Sequence, residues 1–179
     1  ALAADPTDID ARLMRSGMRL AAHDPNGAAE DLQLLDKELQ PSAAERLQLA
    51  SMAEAAGLLE MALANEDAWL KAHQEDARRP MALNGRCWVL AQLNRDLRKA
   101  LDDCNSALRA RPNTPNFLDS RGLVRVRQGD FAGALADYNA ALRIQPRNAW
   151  TLYMRGFVKQ RTGDAAGAEA DRKAALAIA

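Results

Sequence analysis

The chain has few of the residues from which compact functional sites are usually built. Two cysteines and two histidines in 179 residues are too few for a disulfide-dense scaffold or a four-ligand zinc site. Four valines, three isoleucines and four threonines leave little strand-forming material beside an excess of alanine, leucine, arginine, glutamine and glutamate, which points to an all-α chain. Net charge is also absent, since 24 basic residues balance 24 acidic ones. The nearest approach to a basic cluster, Arg78-Arg79, follows Glu75-Asp76. A surface that displaces counterions from phosphates needs a concentrated basic face, so no nucleic-acid partner is expected. No run approaches the roughly 18 consecutive apolar residues of a membrane helix, so no membrane insertion is expected. No Gly-rich phosphate loop is present, and no carboxylate pair stands out from the acidic background. The sequence implies no cofactor, no metal and no enzyme. With 48% hydrophobic and 27% charged residues, the chain has the composition of a folded protein rather than a disordered one.

What is present is a repeat. The stretch from Pro115 to Asn148 overlays the following one, Ala149 to Ala179, when shifted by about 34 residues. Arg121-Gly122 falls on Arg155-Gly156, Gly129-Asp130 on Gly163-Asp164, Gly133-Ala134 on Gly167-Ala168, and Asp137 on Asp171. Shifted backwards, Asp130 falls on Asp96, Ala134-Leu135 on Ala100-Leu101, Asp137 on Asp103, and Pro146 on Pro112. The pattern extends weakly to the beginning, where Arg15 matches Arg155, Gly27-Ala28 matches Gly133-Ala134, and Asp31 matches Asp137.

The units are therefore 9–41, 42–80, 81–114, 115–148 and 149–179, with residues 1–8 as the tail of a preceding helix or a connector. Ala1-Leu2-Ala3 also has the form of a signal-peptide cleavage site, but the repeat register explains more positions. The second unit is irregular. Ser42 with Glu45 reads as a capping box, Gly57 lies off register, Asn65-Glu66-Asp67 reads as the turn between helices, and Ala68 to Arg78 reads as the second helix.

These units resemble the tetratricopeptide repeat. The small residue of the first helix is Gly122 or Gly156. Those of the second are Ala100 with Ala107, Ala134 with Ala141, and Ala168 with Ala175. The aromatic is Tyr138, and the closing prolines are Pro112 and Pro146. Two antiparallel helices approach closely when small residues meet at the crossing, and Gly122 facing Ala134 and Ala141 would provide this. One helix pair cannot bury its own apolar stripe, so pairs stack. The resemblance implies a right-handed α-solenoid of about five helix pairs. In the third unit Trp88 stands in the glycine position, which requires its first helix to shift or rotate. In the fifth, Arg172 stands in the aromatic position.

The resemblance also implies a concave face built from the first helices. It would carry Leu13, Gly17 and Leu20, then Gly85, Val89 and Gln92, then Asn116, Asp119, Leu123 and Arg127, and last Trp150, Tyr153, Phe157 and Arg161. The family's Lys and Asn clamp for peptide carboxylates is missing from these positions. In its place is an aromatic stripe, Trp150, Tyr153 and Phe157, suited to the apolar side chains of a partner peptide or amphipathic helix. A capping segment or a second copy of the chain would cover the same stripe.

The expected function is a non-catalytic scaffold that holds a partner in this groove. The alternative is a self-association or linker module of a larger protein whose functional domain lies elsewhere. The recurring pairs Arg15 with Asp31, Arg121 with Asp137, and Arg155 with Asp171 read as structural ties between helices. Cys87 and Cys104 lie on facing helices, where either a disulfide or two buried thiols would fit. Neither histidine, His23 or His73, stands at a repeat position from which it could activate them. The compartment is left open between cytoplasm and export.

Overall fold

The computed structural model describes residues 8–178, so the proposed tail falls outside the described residues except for Asp8. That residue caps the first helix, its side chain accepting from the Ala11 amide at 2.9 Å. Ten helices follow, eight of them in four packed pairs, and among the described residues there is no strand. The pairs are α1 (Ile9–Ala21) with α2 (Pro25–Glu38), α3 (Arg46–Ala55) with α4 (Leu59–Ala72), α7 (Pro115–Gln128) with α8 (Phe131–Ile144), and α9 (Ala149–Arg161) with α10 (Ala165–Leu176); α5 (Arg79–Gln92) and α6 (Leu97–Ala110) lie between the second and third of these in the sequence. The chain divides into two compact units, Ala1–Val89 and Leu90–Ala179.

The turns inside the pairs show why the repeat takes its form. Each requires a residue at positive φ, supplied by Gly57, Gly129 and Gly163, and elsewhere by His23 and Asn94, which tolerate that region better than most residues. After the turn, Asp24, Asp130 and Asp164 cap α2, α8 and α10. Their carboxylates accept from the amides of Gly27, Gly133 and Gly167 at 2.9 Å each. The capped residue is glycine because a Cβ there would collide with the capping carboxylate. Such a cap is worth about 1 kcal/mol.

In the first unit the irregular pair is not where the sequence pattern puts it. Ser42 caps nothing: α3 starts at Arg46, with Glu45 in the cap position making no side-chain bond. Residues 40–45 are spent on tight turns, with the Ala43 amide on the Gln40 carbonyl at 3.0 Å. Asn65-Glu66-Asp67 is no turn either, but lies within α4. The turn is at Gly57, φ +78°, which therefore plays the part of Gly129 and Gly163. The triad is polar because each member packs against polar groups. Asn65, fully buried, accepts from Arg46 at 2.6 Å and donates to Asp36 at 2.7 Å. Asp67 pairs with Arg86 at 2.7 Å. Glu66 lies against Gly85.

The rest of the first unit closes over two apolar clusters. One joins Leu13, Leu32, Leu35, Leu39 and Leu49. The other is centred on Trp69, stacked on His73 with centroids 4.5 Å apart and with the Arg78 guanidinium 5.3 Å from its ring. Trp88 on α5 donates its indole N–H to Glu54 on α3 at 2.9 Å.

In the second unit α7 packs on α6 and α8, and α9 on α8 and α10. Leu142, Leu152 and Ala175 form an apolar cluster there, with Ile178 against it. Cys87 and Cys104 are fully buried and neither is a free thiol.

Candidate functional site

Each of the two closing pairs is held by the same ionic tie. Asp137 on α8 is buried and takes the Arg121 guanidinium from α7 at 3.0 and 2.6 Å, then Arg125, one turn on, at 2.8 Å. Asp171 on α10 takes Arg155 at 2.8 and 2.6 Å and Lys159 at 2.9 Å. Arg121 also donates to Asn105, and Arg155 to Asn139, each at 3.0 Å. The arginine thus ties its own pair and also the helix before it. Burial pushes the Asp171 carboxyl up, but the bonds and charges of Arg155 and Lys159 outweigh this and hold it below the usual range. In the first unit Asp31 takes Arg15 at 2.7 Å and Arg19 at 3.0 Å in the same way. These charges are therefore structural. The second cation of each tie, Arg19, Arg125 or Lys159, recurs in the sequence four residues after the arginine in three units.

Between the helices the two pairs part. Gly122 is met most closely by the ring of Tyr138, which lies 2.7 Å from where a Cβ would stand. Tyr138 is fully buried, and burial pushes its phenol well above the usual range. In the last pair Arg172 holds the equivalent place and turns outwards, pairing with Glu169. Nothing bulky then fills the crossing, and the backbone of α10 comes to Gly156 directly, with the Ala168 carbonyl 3.1 Å from the site of a Cβ. The space given up opens as a cleft at the surface, lined by Tyr153, Phe157, Gln160, Glu169 and Arg172.

The aromatic stripe runs beside this cleft. Trp150, Tyr153 and Phe157 are 43%, 55% and 36% exposed. Trp150 and Tyr153 are tilted neighbours with centroids 6.4 Å apart, and the Arg161 guanidinium lies 5.2 Å from the Phe157 ring. The opposite face of α9 is interior, with Thr151, Leu152, Met154 and Val158 all buried.

One repeat earlier the same column behaves differently. Asn116 and Arg127 are exposed, and Arg127 donates to the Ala91 carbonyl at 3.2 Å. Leu123 and Asp119 are buried, so neither is presented to a partner as the concave-face reading supposed. Leu123 is drawn in as ordinary apolar surface. Asp119 accepts from the Thr151 hydroxyl of α9 at 2.8 Å, and its Oδ1 has no hydrogen-bond partner. Burial drives its carboxyl up to about 6, with the nearby Asp137 charge adding to the effect and the Thr151 bond opposing it. Of the first-unit positions, Leu13 is buried, Gly17 and Leu20 half-buried, and Val89 buried beside half-buried Gly85. Among the described residues no cluster of His, Cys, Asp and Glu could hold a metal ion, and no helix is long and apolar enough to cross a membrane.

The family model described as TPR repeat matches residues 122–163, from Gly122 through the α8 crossing to the turn at Gly163. This stretch is a tetratricopeptide repeat. The helical architecture around it is also that of tetratricopeptide proteins. MamA, residues 41 to the end, from Desulfovibrio magneticus RS-1 has a TM-score of 0.71 at 16% identity, covering 96% of this chain and 95% of that one. A second MamA crystal structure gives 0.67 at 18% identity, covering 91% and 93%. PilW, described as a widely conserved type IV pilus biogenesis factor, gives 0.75 at 16% identity, covering 96% and 78%. At these identities the likeness shows the fold alone. No curated protein matches the chain.

Proposed function

We propose that the chain is a non-catalytic scaffold whose working surface is the exposed face of α9, and that this surface holds an extended or helical segment of another protein. The observation that carries the proposal is the contrast within one helix. α9 buries Thr151, Leu152, Met154 and Val158 against its neighbours and keeps Trp150, Tyr153 and Phe157 outside. A helix needs one apolar face to join a fold, and α9 has a second. Aromatic side chains beside a cleft are the residue types that dominate binding energy at protein interfaces. The tetratricopeptide architecture supports the same reading, because a stacked array of helix pairs presents an extended surface suited to holding a partner.

A photo-crosslinking amino acid at Tyr153, compared with the same group at exposed Arg109 on α6, tests this in the native cell. The proposal expects a discrete crosslinked species from position 153 and none of that size from 109. Identical patterns from both positions, or none from 153, would overturn it.

The buried cysteines support a subsidiary part of the proposal, that the chain does no thiol chemistry. A thiol titration under denaturing conditions without reductant should then find no reactive thiol, whereas two per chain would contradict it.

A further inference from the structure

Resting on that reading, we infer that the segment held by α9 is acidic as well as apolar, an amphipathic stretch of about three helical turns with carboxylates at the end nearest Arg161. The chain is neutral overall, but the helices beside the stripe are not. α9 contains no acidic residue, and the one acid of α7, Asp119, is sealed inside against Thr151.

The basic residues of these helices fall into two sets. Arg121 and Arg125 are committed to Asp137, and Arg155 and Lys159 to Asp171. Arg127 and Arg161 are in no ion pair among the described residues. They stand at equivalent positions of successive repeats, Arg161 against the ring that ends the aromatic stripe. The single carboxylate at the cleft, Glu169, is taken by Arg172. The face therefore offers three aromatic rings followed by two guanidinium groups whose charge no carboxylate of the described residues neutralises, Arg127 donating only to the neutral Ala91 carbonyl and Arg161 lying on the Phe157 ring. A surplus of one charge sign beside an apolar strip selects a partner of the opposite sign and repels one of the same sign. The four positions from Trp150 to Arg161 span about 16 Å of helix axis, which sets the length of the complementary segment.

Three labelled peptides of about 15 residues test the inference by fluorescence anisotropy against the whole chain. All carry leucine and phenylalanine at the same i, i+3, i+7 positions, and the remaining positions are glutamate in one, lysine in the second and glutamine in the third. The glutamate peptide should bind about tenfold more tightly than the glutamine peptide at about 50 mM salt, and that advantage should collapse at about 0.5 M. The lysine peptide should bind more weakly than both. The R127E/R161E variant should reverse the order of the charged peptides and leave the glutamine peptide where it was.

Equal binding of all three peptides, or a preference that survives R127E/R161E, would overturn the inference while leaving the aromatic face intact as a binding surface. If the glutamine peptide binds the parent and a W150A/Y153A/F157A variant alike, or if none of the three peptides binds, the underlying proposal fails as well. Light scattering that shows a dimer abolished by W150A/Y153A/F157A would assign the stripe to a second copy and overturn the inference.

Discussion

The last two helix pairs are almost the same structure serving different ends. Both have the buried aspartate, the arginine that ties it to the first helix, the second cation one turn on, the Asn link to the preceding helix, and the Asp-capped second helix. They differ at two places. Tyr138 fills the crossing of the earlier pair, while Arg172 leaves the later one unfilled and opens a cleft. On the first helices, Leu123 and Asp119 are interior, whereas the equivalent Phe157 and Tyr153 face solvent. Closing a helix pair thus takes the ionic tie and a small residue, and the aromatic in the crossing is dispensable when α10 can move in on Gly156. Positions that the tie does not use are free to be spent on a surface.

That comparison can be broken most sharply at the crossing. Tyr138→Ala should destabilise by about 3 to 5 kcal/mol, since it empties a fully buried ring site, while Arg172→Ala should stay within about 0.5 kcal/mol. Urea unfolding followed by circular dichroism measures both, and equal losses would mean that the crossings are not the distinguishing feature.

The ties come next. Asp137→Ala and Asp171→Ala should each cost about 2 to 3 kcal/mol, because each strands two cations that remain partly buried. The two losses should match within about 1 kcal/mol, and a large difference would show that the common geometry conceals different energetics.

Two acids of the second unit respond oppositely to pH. Asp119 has a folded carboxyl raised to about 6, so the folded state binds its proton more readily than the unfolded one, and stability from this group falls as pH rises from about 4 to about 6. Asp171 is held below the ordinary range. Its contribution is present above the unfolded value and is lost as pH falls through the folded one. Asp119→Asn should therefore stabilise the chain by about 2 kcal/mol at neutral pH, with little effect near pH 4. A variant that is less stable at neutral pH would show that the ionised carboxylate is satisfied after all.

The smallest effect belongs to the surface. W150A/Y153A/F157A should lower stability by about 1 to 2 kcal/mol, because the three rings are only partly covered and truncating them gives up that covered apolar area alone. A loss as large as that of Tyr138→Ala would make the stripe core rather than interface.

Much of this organisation is legible in the sequence, and the failures share a cause. The ties, the helix count and the repeat phase follow from residues that recur in register, such as Arg121 with Asp137 and Gly129 with Asp130. What misled was polarity taken as exposure. Asn65-Glu66-Asp67 looks like a turn because polar triads usually are, but its partners Arg46, Asp36 and Arg86 are remote in sequence. Asp119 looks like a groove residue because its column is the groove column. Its burial follows from the Thr151 hydroxyl one helix away, which no local pattern announces. Gly57 appears off register because two connections that follow it are longer than their counterparts, residues 73–78 between α4 and α5 and residues 93–96 between α5 and α6. The cleft at Arg172 was half visible, as a departure from the aromatic pattern whose consequence needed the neighbouring backbone.

The account depends most on α9 having a second apolar face for a partner. Affinity capture from the native source with the parent chain and with W150A/Y153A/F157A, matched for helicity and midpoint of unfolding, tests this most directly. The account predicts a defined partner retained by the parent and lost by the variant. The same partners retained by both, or none by either, would contradict it.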